Sequence, residues 1–386
     1  MHKALLATFM VATGVVLGGT SVGPGAAPSS PEPRAHVNLA MIGAPSRATF
    51  DLAKALFREA TGRDPTPADF VGGVEVKYLE YKTLRFTYAQ AVLPTAPRNL
   101  SQVFQALQSS DGVMLPLDAS GGLESSSLEQ CLWAKAAGVP KLVVFAWSPD
   151  GKSSKDRSGI RARLVECGFS GGQIEIIEGL GLRLPGGETQ FSSVGTLLRA
   201  LDEIVLPRER DLASPFVMPV DDVFQIAGRG TIVTGRVASG QVSVGATLSL
   251  FGNGRERPVK VTDIAMYKRT LDVAMHGDHV GIGIAGASRP DVARGMILAP
   301  SGALKQASTF QATVSSPTFL SFSSNGSLPS GEYVVLMHTM AFPARLKPAG
   351  NGLAEIQPAD SVPVASGWRF LLLSQGKTAG MGSIKE

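Results

Sequence analysis

The sequence has few of the residues that build disulfide-stapled folds and zinc sites. Among its 386 residues there are two cysteines, Cys131 and Cys167, and five histidines. Two cysteines are too few for a disulfide framework, and neither lies in a Cys-x-x-Cys or histidine-flanked spacing. Cys131 lies in an apolar helical pattern, so we expect a buried and unreactive thiol. The sequence therefore excludes a disulfide scaffold and predicts no zinc site.

Side-chain groupings typical of catalysis are also scarce. His276 and His279 lie in the glycine turn "MHGDHVG", where we expect solvent exposure, and two loop histidines rarely bind a metal alone. Asp221 and Asp222 are neighbours in a predicted strand, so their side chains should point to opposite faces rather than share a proton. The sequence assembles no catalytic triad.

Charge of one sign is not in excess either. The chain has 36 Lys and Arg against 32 Asp and Glu, and it is 44% hydrophobic and 18% charged. This composition is typical of a globular protein with more than one domain. The basic residues are scattered, which favours solvated faces, although a net charge of +4 is compatible with an RNA or acidic partner.

Residues 1–35 differ from the rest of the chain. A charged start precedes an apolar run, and Gly25-Ala26-Ala27 resembles a cleavage site. The pattern predicts a secretory signal or, if uncleaved, an anchor contacting the membrane through residues 4–22. The alternative is a wrongly assigned start codon, with the chain beginning near Pro33. The protein is exported or membrane-anchored in the first case and cytoplasmic in the second.

From residue 36 to about residue 207, strand-like apolar runs alternate with helical patterns. This alternation predicts an α/β domain with a parallel sheet covered by helices. The strand candidates are Val37–Ile42, Leu84–Leu93, Gly112–Leu117, Lys141–Phe145 and Gln173–Glu178, and helical spacing recurs over Leu100–Gln108 and Leu128–Ala137.

After a polar linker ending at Pro215, short β-rich runs are separated by glycine turns. The pattern predicts one small β-barrel over residues 215–302 and a second over residues 305–386. The strand candidates are Thr231–Val237, Gln241–Val244, Thr247–Phe251, Val259–Met266 and Val280–Ile284 in the first barrel, and Phe310–Val314, Tyr333–His338 and Arg369–Leu373 in the second. The fold class is therefore α/β plus all-β.

The first barrel carries a resemblance to a known family. Its sequence begins with PFVMPVDDVFQIAGRGTIVTGRVASGQVSVGATLSLFG and continues through AMYKRTLDVAMHGDHVGIGIAG and VARGMILAPSG. It resembles the second domain of bacterial elongation factor Tu, a translational GTPase. In the same register, HVNLAMIG, DGVMLPLDASGG and AGVPKLVVF are similar to the first, fourth and fifth strands of the family's GTPase domain. The resemblance implies a P-loop-GTPase-like sheet domain over residues 36–207 and two following barrels, the last shortened between Thr318 and Glu332.

The family's phosphate loop reads G-x-x-x-x-G-K-[ST], in which backbone N–H groups hold phosphates, the lysine reaches the outer phosphates and the hydroxyl binds Mg²⁺. Here Gly43 keeps the frame, but Thr49 stands at the lysine position and Phe50 at the hydroxyl position. The remnant nucleotide-binding positions are Gly43, Thr49 and, in the guanine-reading segment, Asp150.

Other family motifs are also altered. The switch segment D-x-P-G-H corresponds to Val92–Ala96, which retains only Pro94, and N-K-x-D corresponds to Trp147–Asp150. The S-A-L segment corresponds to Leu180–Leu182. These losses affect charge neutralisation, metal binding, water positioning and base recognition, on which phosphoryl transfer depends. We therefore expect no catalytic residue and no bound cofactor, the alternative being GTP and Mg²⁺ in an altered site.

A second stretch, Ala146–Ser153, satisfies a relaxed phosphate-loop pattern after a predicted strand. Bulky Trp147 and acidic Asp150 would lie inside a loop meant to admit phosphates. We therefore interpret it as a surface turn that opens a helix.

The resemblance also implies a partner surface, because the family's second domain holds the aminoacyl end of transfer RNA. The corresponding positions predict a site whose residues are Asp222, Phe224, Arg229, Thr231 and His279. The partner is a transfer RNA, another RNA or a protein, bound by a monomer. The alternative is that Arg229 only shapes a tight turn and Thr231 is an ordinary strand residue.

Two function hypotheses follow. In the first, the chain is an elongation-factor-Tu-like protein that has lost GTP hydrolysis and binds an RNA or protein partner. In the second, it is a functional elongation factor that delivers aminoacyl-tRNA with GTP in an altered site. Export of the protein would conflict with the second hypothesis, because GTP and ribosomes are cytoplasmic.

Overall fold

The structure, a computed structural model, describes residues 35–43, 46–72, 76–94, 97, 99–119, 123–148, 157–266, 269–320 and 327–385. The predicted signal or anchor segment, the remnant position Asp150 and most of the second loop candidate lie outside these residues. No helix within the described ranges combines the length and the apolar character that a membrane crossing requires.

The first domain is built on an eight-stranded sheet. Its strands are β1 (His36–Met41), β2 (Val71–Gly72), β3 (Lys77–Lys82), β4 (Thr87–Val92), β5 (Gly112–Asp118), β6 (Leu142–Ser148), β7 (Ile174–Arg183) and β8 (Thr189–Ser192). The order is β2-β3-β4-β1-β5-β6-β7-β8. The five strands from β4 to β7 are parallel, and the pairs at both edges are antiparallel.

Helices cover both faces of this sheet. They are α1 (Ser46–Thr61), α2 (Leu100–Gln108), α3 (Ser125–Ala136), α4 (Arg157–Glu166) and α5 (Val194–Ile204). Alternate residues of a strand point to opposite faces, so Leu39 of β1 packs with α1 and α5 while Ala40 packs with the core of α2, α3 and α4. A parallel sheet buried on both faces needs the near-continuous apolar strands that the sequence shows.

The second domain is a barrel. Its strands are β9 (Met218–Ile226), β10 (Gly230–Arg236), β11 (Gln241–Ser243), β12 (Thr247–Gly252), β13 (Arg255–Met266), β14 (Arg269–Leu271), β15 (Val273–Met275), β16 (His279–Ala285) and β17 (Ile297–Ala299). The order β12-β17-β9-β10-β16-β13 closes into a ring because β13 also pairs with β12.

The third domain contains a closed six-stranded barrel. Its strands are β18 (Lys305–Ala307), β19 (Phe310–Ser315), β20 (Gly331–Met337), β21 (Met340–Gly350), β22 (Leu353–Pro358), β23 (Val362–Val364), β24 (Arg369–Ser374) and β25 (Lys377–Ile384). The ring order is β19-β22-β21-β20-β24-β25, and β18 pairs with β23 beside it. The predicted class, α/β followed by two β-barrels, is confirmed.

The domains share hydrophobic cores. Leu336 and Leu371 of the third domain belong to the same buried cluster as Cys131 and Trp133 of α3. The indole Nε1–H of Trp133 donates a buried 2.8 Å hydrogen bond to the hydroxyl oxygen of Thr378. Helix α3 is therefore fixed against the third domain by both apolar packing and a hydrogen bond.

Several predicted boundaries were wrong at their ends. The strand expected from Leu84 begins at Thr87, because Thr83 and Phe86 close a tight turn that leaves Leu84 93% exposed. The strand expected to end at Glu178 continues to Arg183, because its second half pairs with β8. The sequence analysis did not identify helix α5, the strands β3, β8, β21, β22 and β25, or the short strands β2, β14, β15, β17, β18 and β23.

Candidate functional site

Gly43, which the resemblance aligns with the first glycine of the phosphate loop, is held by a side chain from α3. Gly43 follows β1 with a φ of 126°, a conformation that favours glycine. Its N–H donates a buried 2.5 Å hydrogen bond to Oε1 of Gln130. Nε2 of the same amide donates to the carbonyl oxygen of Pro94 at 2.8 Å. Gln130 thus joins the end of β1 to the segment after β4.

The two positions that follow are also occupied by internal contacts. Thr49 is 1% exposed, and its hydroxyl donates to the carbonyl oxygen of Gly43 at 3.3 Å. The ring of Phe50 stacks on that of Phe70 with centroids 5.3 Å apart. The hydroxyl at the lysine position therefore serves the chain's own backbone, and the metal-hydroxyl position holds an aromatic contact.

The charged residues nearby serve the fold as well. Asp51 is 4% exposed and accepts a 2.8 Å hydrogen bond from the backbone N–H of Thr189, at the start of β8. Nζ of Lys54 lies 3.0 Å from Oδ1 of Asp51 and 3.9 Å from Oε1 of Glu188. These contacts attach α1 to the β7–β8 hairpin. The ammonium group of Lys54 is thus already paired with two carboxylates.

The described residues do not fit GTP and Mg²⁺ in the manner of a phosphate loop. The Thr49 hydroxyl, at the lysine position, is bound to Gly43, and the position of the metal-binding hydroxyl holds the Phe50 ring stacked on Phe70. Within the part of the chain that the structure describes, no group of three or more His, Cys, Asp or Glu side chains could hold a metal ion.

The described residues that the resemblance aligns with the guanine-reading segments, Trp147–Ser148 and Leu180–Leu182, lie in strands that pack against a hairpin. Trp147, at the end of β6, is 1% exposed and meets Phe191 of β8 edge-on at 5.6 Å. A Cβ at Gly181 would lie 2.6 Å from Cε3 of Trp147, so the indole lies directly against β7. Leu180–Leu182 form part of β7 rather than a loop, with Gly181 opposite Phe191. Aromatic side chains therefore fill this end of the sheet.

The five predicted partner-binding residues lie on or beside the neighbouring strands β9, β10 and β16. Asp222 of β9 and His279 of β16 flank β10, because they pair with Thr234 and Arg236. Asp222 and His279 are both exposed, so the expected exposure of His279 is confirmed. These two side chains are available to a partner.

The other three predicted residues lie toward the β9–β10 turn. Phe224 is half-buried, and the buried Thr231 donates its hydroxyl to Oε1 of Gln225 at 3.2 Å. Arg229 forms an ion pair with Asp263 of β13. Arg229 is therefore engaged within the barrel, and Thr231 has a structural hydrogen bond.

Asp221 is the functional candidate that the sequence analysis missed. Its Oδ2 lies 2.7 Å from Nε2 of His279 and accepts a 3.3 Å hydrogen bond from Nε2 of Gln105 on α2, while its Oδ1 accepts from the hydroxyl of Thr234. Burial alone would raise the pKa of Asp221, but His279, Thr234 and Gln105 outweigh it and hold the pKa below its usual value.

Asp221 reaches this position because of a β-bulge. Thr234 pairs with Asp222 whereas Gly235 pairs with Val220, so Asp221 is the extra residue. A Cβ at Gly235 would lie 2.2 Å from the carbonyl oxygen of Pro219, so the bulge requires glycine there. The bulge interrupts the strand alternation from which opposite faces were predicted, since Thr234 pairs with Asp222 and also donates its hydroxyl to Asp221.

The expected solvent exposure of His276 was wrong. His276 is half-buried, and its Nδ1 accepts a 2.7 Å hydrogen bond from the backbone N–H of Asp211. Burial lowers its pKa, although Asp211 acts in the opposite direction. Arg210 and Asp278 form a 3.1 Å ion pair beside it. The polar linker between the first two domains is thus bound to the second domain.

Comparison with known proteins agrees with this architecture. Residues 230–299 match the family model of elongation factor Tu domain 2. The structure of translation elongation factor SelB from Methanococcus maripaludis superposes with a TM-score of 0.67 in its apo form and 0.68 with the GTP analogue GPPNHP, each at 19% identity over 92% of this chain and 80% of SelB.

A bacterial selenocysteine-specific elongation factor, EF-Sec, gives a TM-score of 0.67 at 14% identity, over 91% of this chain and 58% of EF-Sec. At these identities the structural likeness shows a shared fold. The second domain is therefore similar to elongation factor Tu domain 2, and the chain as a whole has the fold of the translation elongation factors, which confirms the resemblance found in the sequence.

Proposed function

We propose that this protein is an elongation-factor-like binding protein that has lost GTP hydrolysis. The observation that carries the proposal is the hydrogen bond from the buried Thr49 hydroxyl to the Gly43 carbonyl oxygen, because Thr49 stands at the position of the lysine that would reach the outer phosphates. The Phe50–Phe70 stack supports the same conclusion at the next position, where a hydroxyl would bind Mg²⁺.

Electrostatics support the proposal independently. Catalysis of phosphoryl transfer depends on cations that offset the phosphate charges. Lys54 is the lysine of α1, and it is bound to the buried carboxylate of Asp51 and lies near Glu188. Releasing it toward a phosphate would leave Asp51 with less compensation inside the protein, where an unpaired charge is costly.

The second domain offers the surface for a partner. Exposed Asp222 and His279 flank β10, and half-buried Phe224 lies further along β9. The Phe224 ring can stack on a base, the His279 imidazole can donate a hydrogen bond, and the Asp222 carboxylate can accept one from a base amino group; the same three groups also suit a polar protein surface. The bond to Asp221 fixes the orientation of the His279 ring and leaves its Nδ1 edge for a partner.

The loss of hydrolysis is tested by measuring the rate of phosphate release from GTP in the presence of Mg²⁺. We expect the rate with protein, at every protein concentration, to equal the rate in buffer alone. A rate that rises with protein concentration and vanishes on chelation of Mg²⁺ would instead support the alternative, a functional elongation factor with GTP in an altered site. The similarity to SelB bound to GPPNHP is what favours that alternative.

A gel-shift titration with unfractionated transfer RNA tests the partner surface. The double variant Phe224→Ala, His279→Ala should bind at least about tenfold more weakly than the natural chain, since two contacts of about 1 kcal/mol each are lost. The double variant Lys347→Ala, Leu353→Ala, on the exposed surface of the third domain, is the control. Equal loss of binding in both pairs would contradict the assignment of the surface.

A further inference from the structure

The second domain has a cleft at the end of its barrel that none of the predicted residues line. It has a volume of about 390 Å³ and lies between the β12–β13 hairpin and the short 3-10 turn Arg289–Asp291. Arg255, Arg257, Asp291, Leu250, Pro290 and Met296 line it. We call it the arginine cleft. Its size falls within the range typical of small-molecule sites.

The hairpin places both arginines on the same side of β13. The two-residue turn has φ values of 51° at Asn253 and 67° at Gly254, which give a tight connection between twisted strands. Arg255 and Arg257 are two residues apart on β13 and point to one face. Glu256, between them, is turned away and accepts a 2.6 Å hydrogen bond from the hydroxyl of Ser301.

The cleft has an excess of positive charge. Nη2 of Arg257 lies 3.1 Å from Oδ1 of Asp291, so these two charges compensate each other. The Asp291 carboxylate is ionised, because hydrogen bonds from Ser288 and the charge of Arg257 lower its pKa. Arg255 is exposed and forms no ion pair with any acidic group in the described ranges. One guanidinium is therefore left for a ligand.

The floor of the cleft is apolar. Leu250 is 3% exposed and Met296 is 8% exposed, and Pro290 forms a rigid wall beside them. A free guanidinium binds a phosphate through two parallel N–H donors, and apolar side chains take the face of a planar group. A ligand with both a phosphate and a planar group would contact both the guanidinium and the apolar floor.

We propose that the arginine cleft binds a phosphate joined to a planar body, which is the chemistry of a nucleotide. Arg255 holds the phosphate, and Leu250 and Met296 contact the planar part. The ligand is either a free nucleoside monophosphate or one unit of a single-stranded RNA. The cleft is distinct from the partner surface, since Arg229 at that surface binds Asp263, eight residues further along β13 from Arg255.

The proposal is tested with the full chain by titration calorimetry with adenosine monophosphate and adenosine, and by fluorescence anisotropy with a labelled RNA hexamer that has no terminal phosphate. Arg255→Gln should weaken binding about tenfold, the usual consequence of losing a hydrogen bond to a charged group. Asp291→Asn should strengthen binding several-fold, because it frees Arg257 while keeping an acceptor for Ser288. Arg269→Gln, an exposed arginine on β14, should change nothing.

The probes distinguish the two sources of the phosphate. Binding of adenosine monophosphate but not adenosine or the hexamer indicates a free nucleotide. Binding of the hexamer indicates RNA if the slope of log K against log salt concentration decreases by about one in Arg255→Gln, as expected when one phosphate contact is lost. The proposal is overturned if no probe binds below about 1 mM, or if Arg255→Gln and Arg269→Gln have the same effect.

Discussion

Replacing Gln130 with methionine should loosen the end of β1. The variant keeps the side-chain length but removes the acceptor of the Gly43 N–H and the donor to the Pro94 carbonyl oxygen. The first group is buried and would be left without a partner, at a cost of about 1–3 kcal/mol, while the half-buried Pro94 carbonyl can turn to water and costs less. We expect a total of about 2 kcal/mol.

Hydrogen exchange detects this change where it occurs. About 2 kcal/mol corresponds to roughly 30-fold faster exchange of the Gly43 amide if opening is local. For a domain of this size it also corresponds to a fall of about 4–8 °C in melting temperature. Gln108→Met, at a half-buried position on α2, controls for the change of side chain. Unchanged protection of Gly43 in Gln130→Met would refute the account of this loop.

Two further predictions concern the third domain. Thr378→Val should lower the free energy of unfolding by about 1–3 kcal/mol in urea, because the buried Trp133 indole loses its acceptor, whereas Thr339→Val should have little effect, since the equally buried Thr339 hydroxyl has no hydrogen-bond partner among the described residues. Burial lowers the pKa of His338 to about 4, so the unfolded chain takes up a proton near pH 6.5 and the folded chain only near pH 4. As the pH is lowered from 6.5 to 4, the free energy of unfolding of the natural chain should therefore fall by up to about 3 kcal/mol more than that of His338→Asn. Asparagine is chosen because it tolerates the φ of 52° at this position. Equal pH profiles of the two proteins would contradict the assignment.

The strands that were predicted well are those whose own residue pattern indicates how they are buried. β1, β5 and β6 are mostly apolar, because a central parallel strand is buried on both faces. The glycine turn and strand residues of β9 and β10 were specific enough to identify the barrel. α5 was missed although Val194, Leu197, Leu198 and Leu201 repeat at helical spacing, so this signal was present.

The rest depends on contacts between distant residues. Three of the four residues of β8 are polar, and it is a strand because β7 pairs with it and Asp51 accepts a hydrogen bond from its first N–H. Gln130 is a polar residue in an apolar helix, and its partner Gly43 is 87 residues away in the chain. Nothing local in the sequence shows that a bulge turns Asp221 toward His279.

The sequence alone indicated a missing lysine, and the structure adds what replaces its contacts. Absence of the lysine at position 49 is compatible with a nucleotide held in another way. The bond between Thr49 and Gly43 and the Phe50–Phe70 stack are contacts that occupy the positions of the phosphate-binding lysine and the metal-binding hydroxyl. These contacts support the proposal that this loop no longer binds a nucleotide.

The most direct measurement is titration calorimetry of the chain with GTP and GDP in the presence of Mg²⁺, beside the double variant Thr49→Lys, Phe50→Thr, with circular dichroism to confirm that both are folded. The account predicts that the natural chain binds GTP and GDP no more tightly than the arginine cleft binds adenosine monophosphate, and that Arg255→Gln weakens this binding about tenfold. A Kd of about 1 μM or tighter, equivalent to about −8 kcal/mol, with Arg255→Gln binding equally well so that the arginine cleft is not responsible, would contradict it and restore the GTPase.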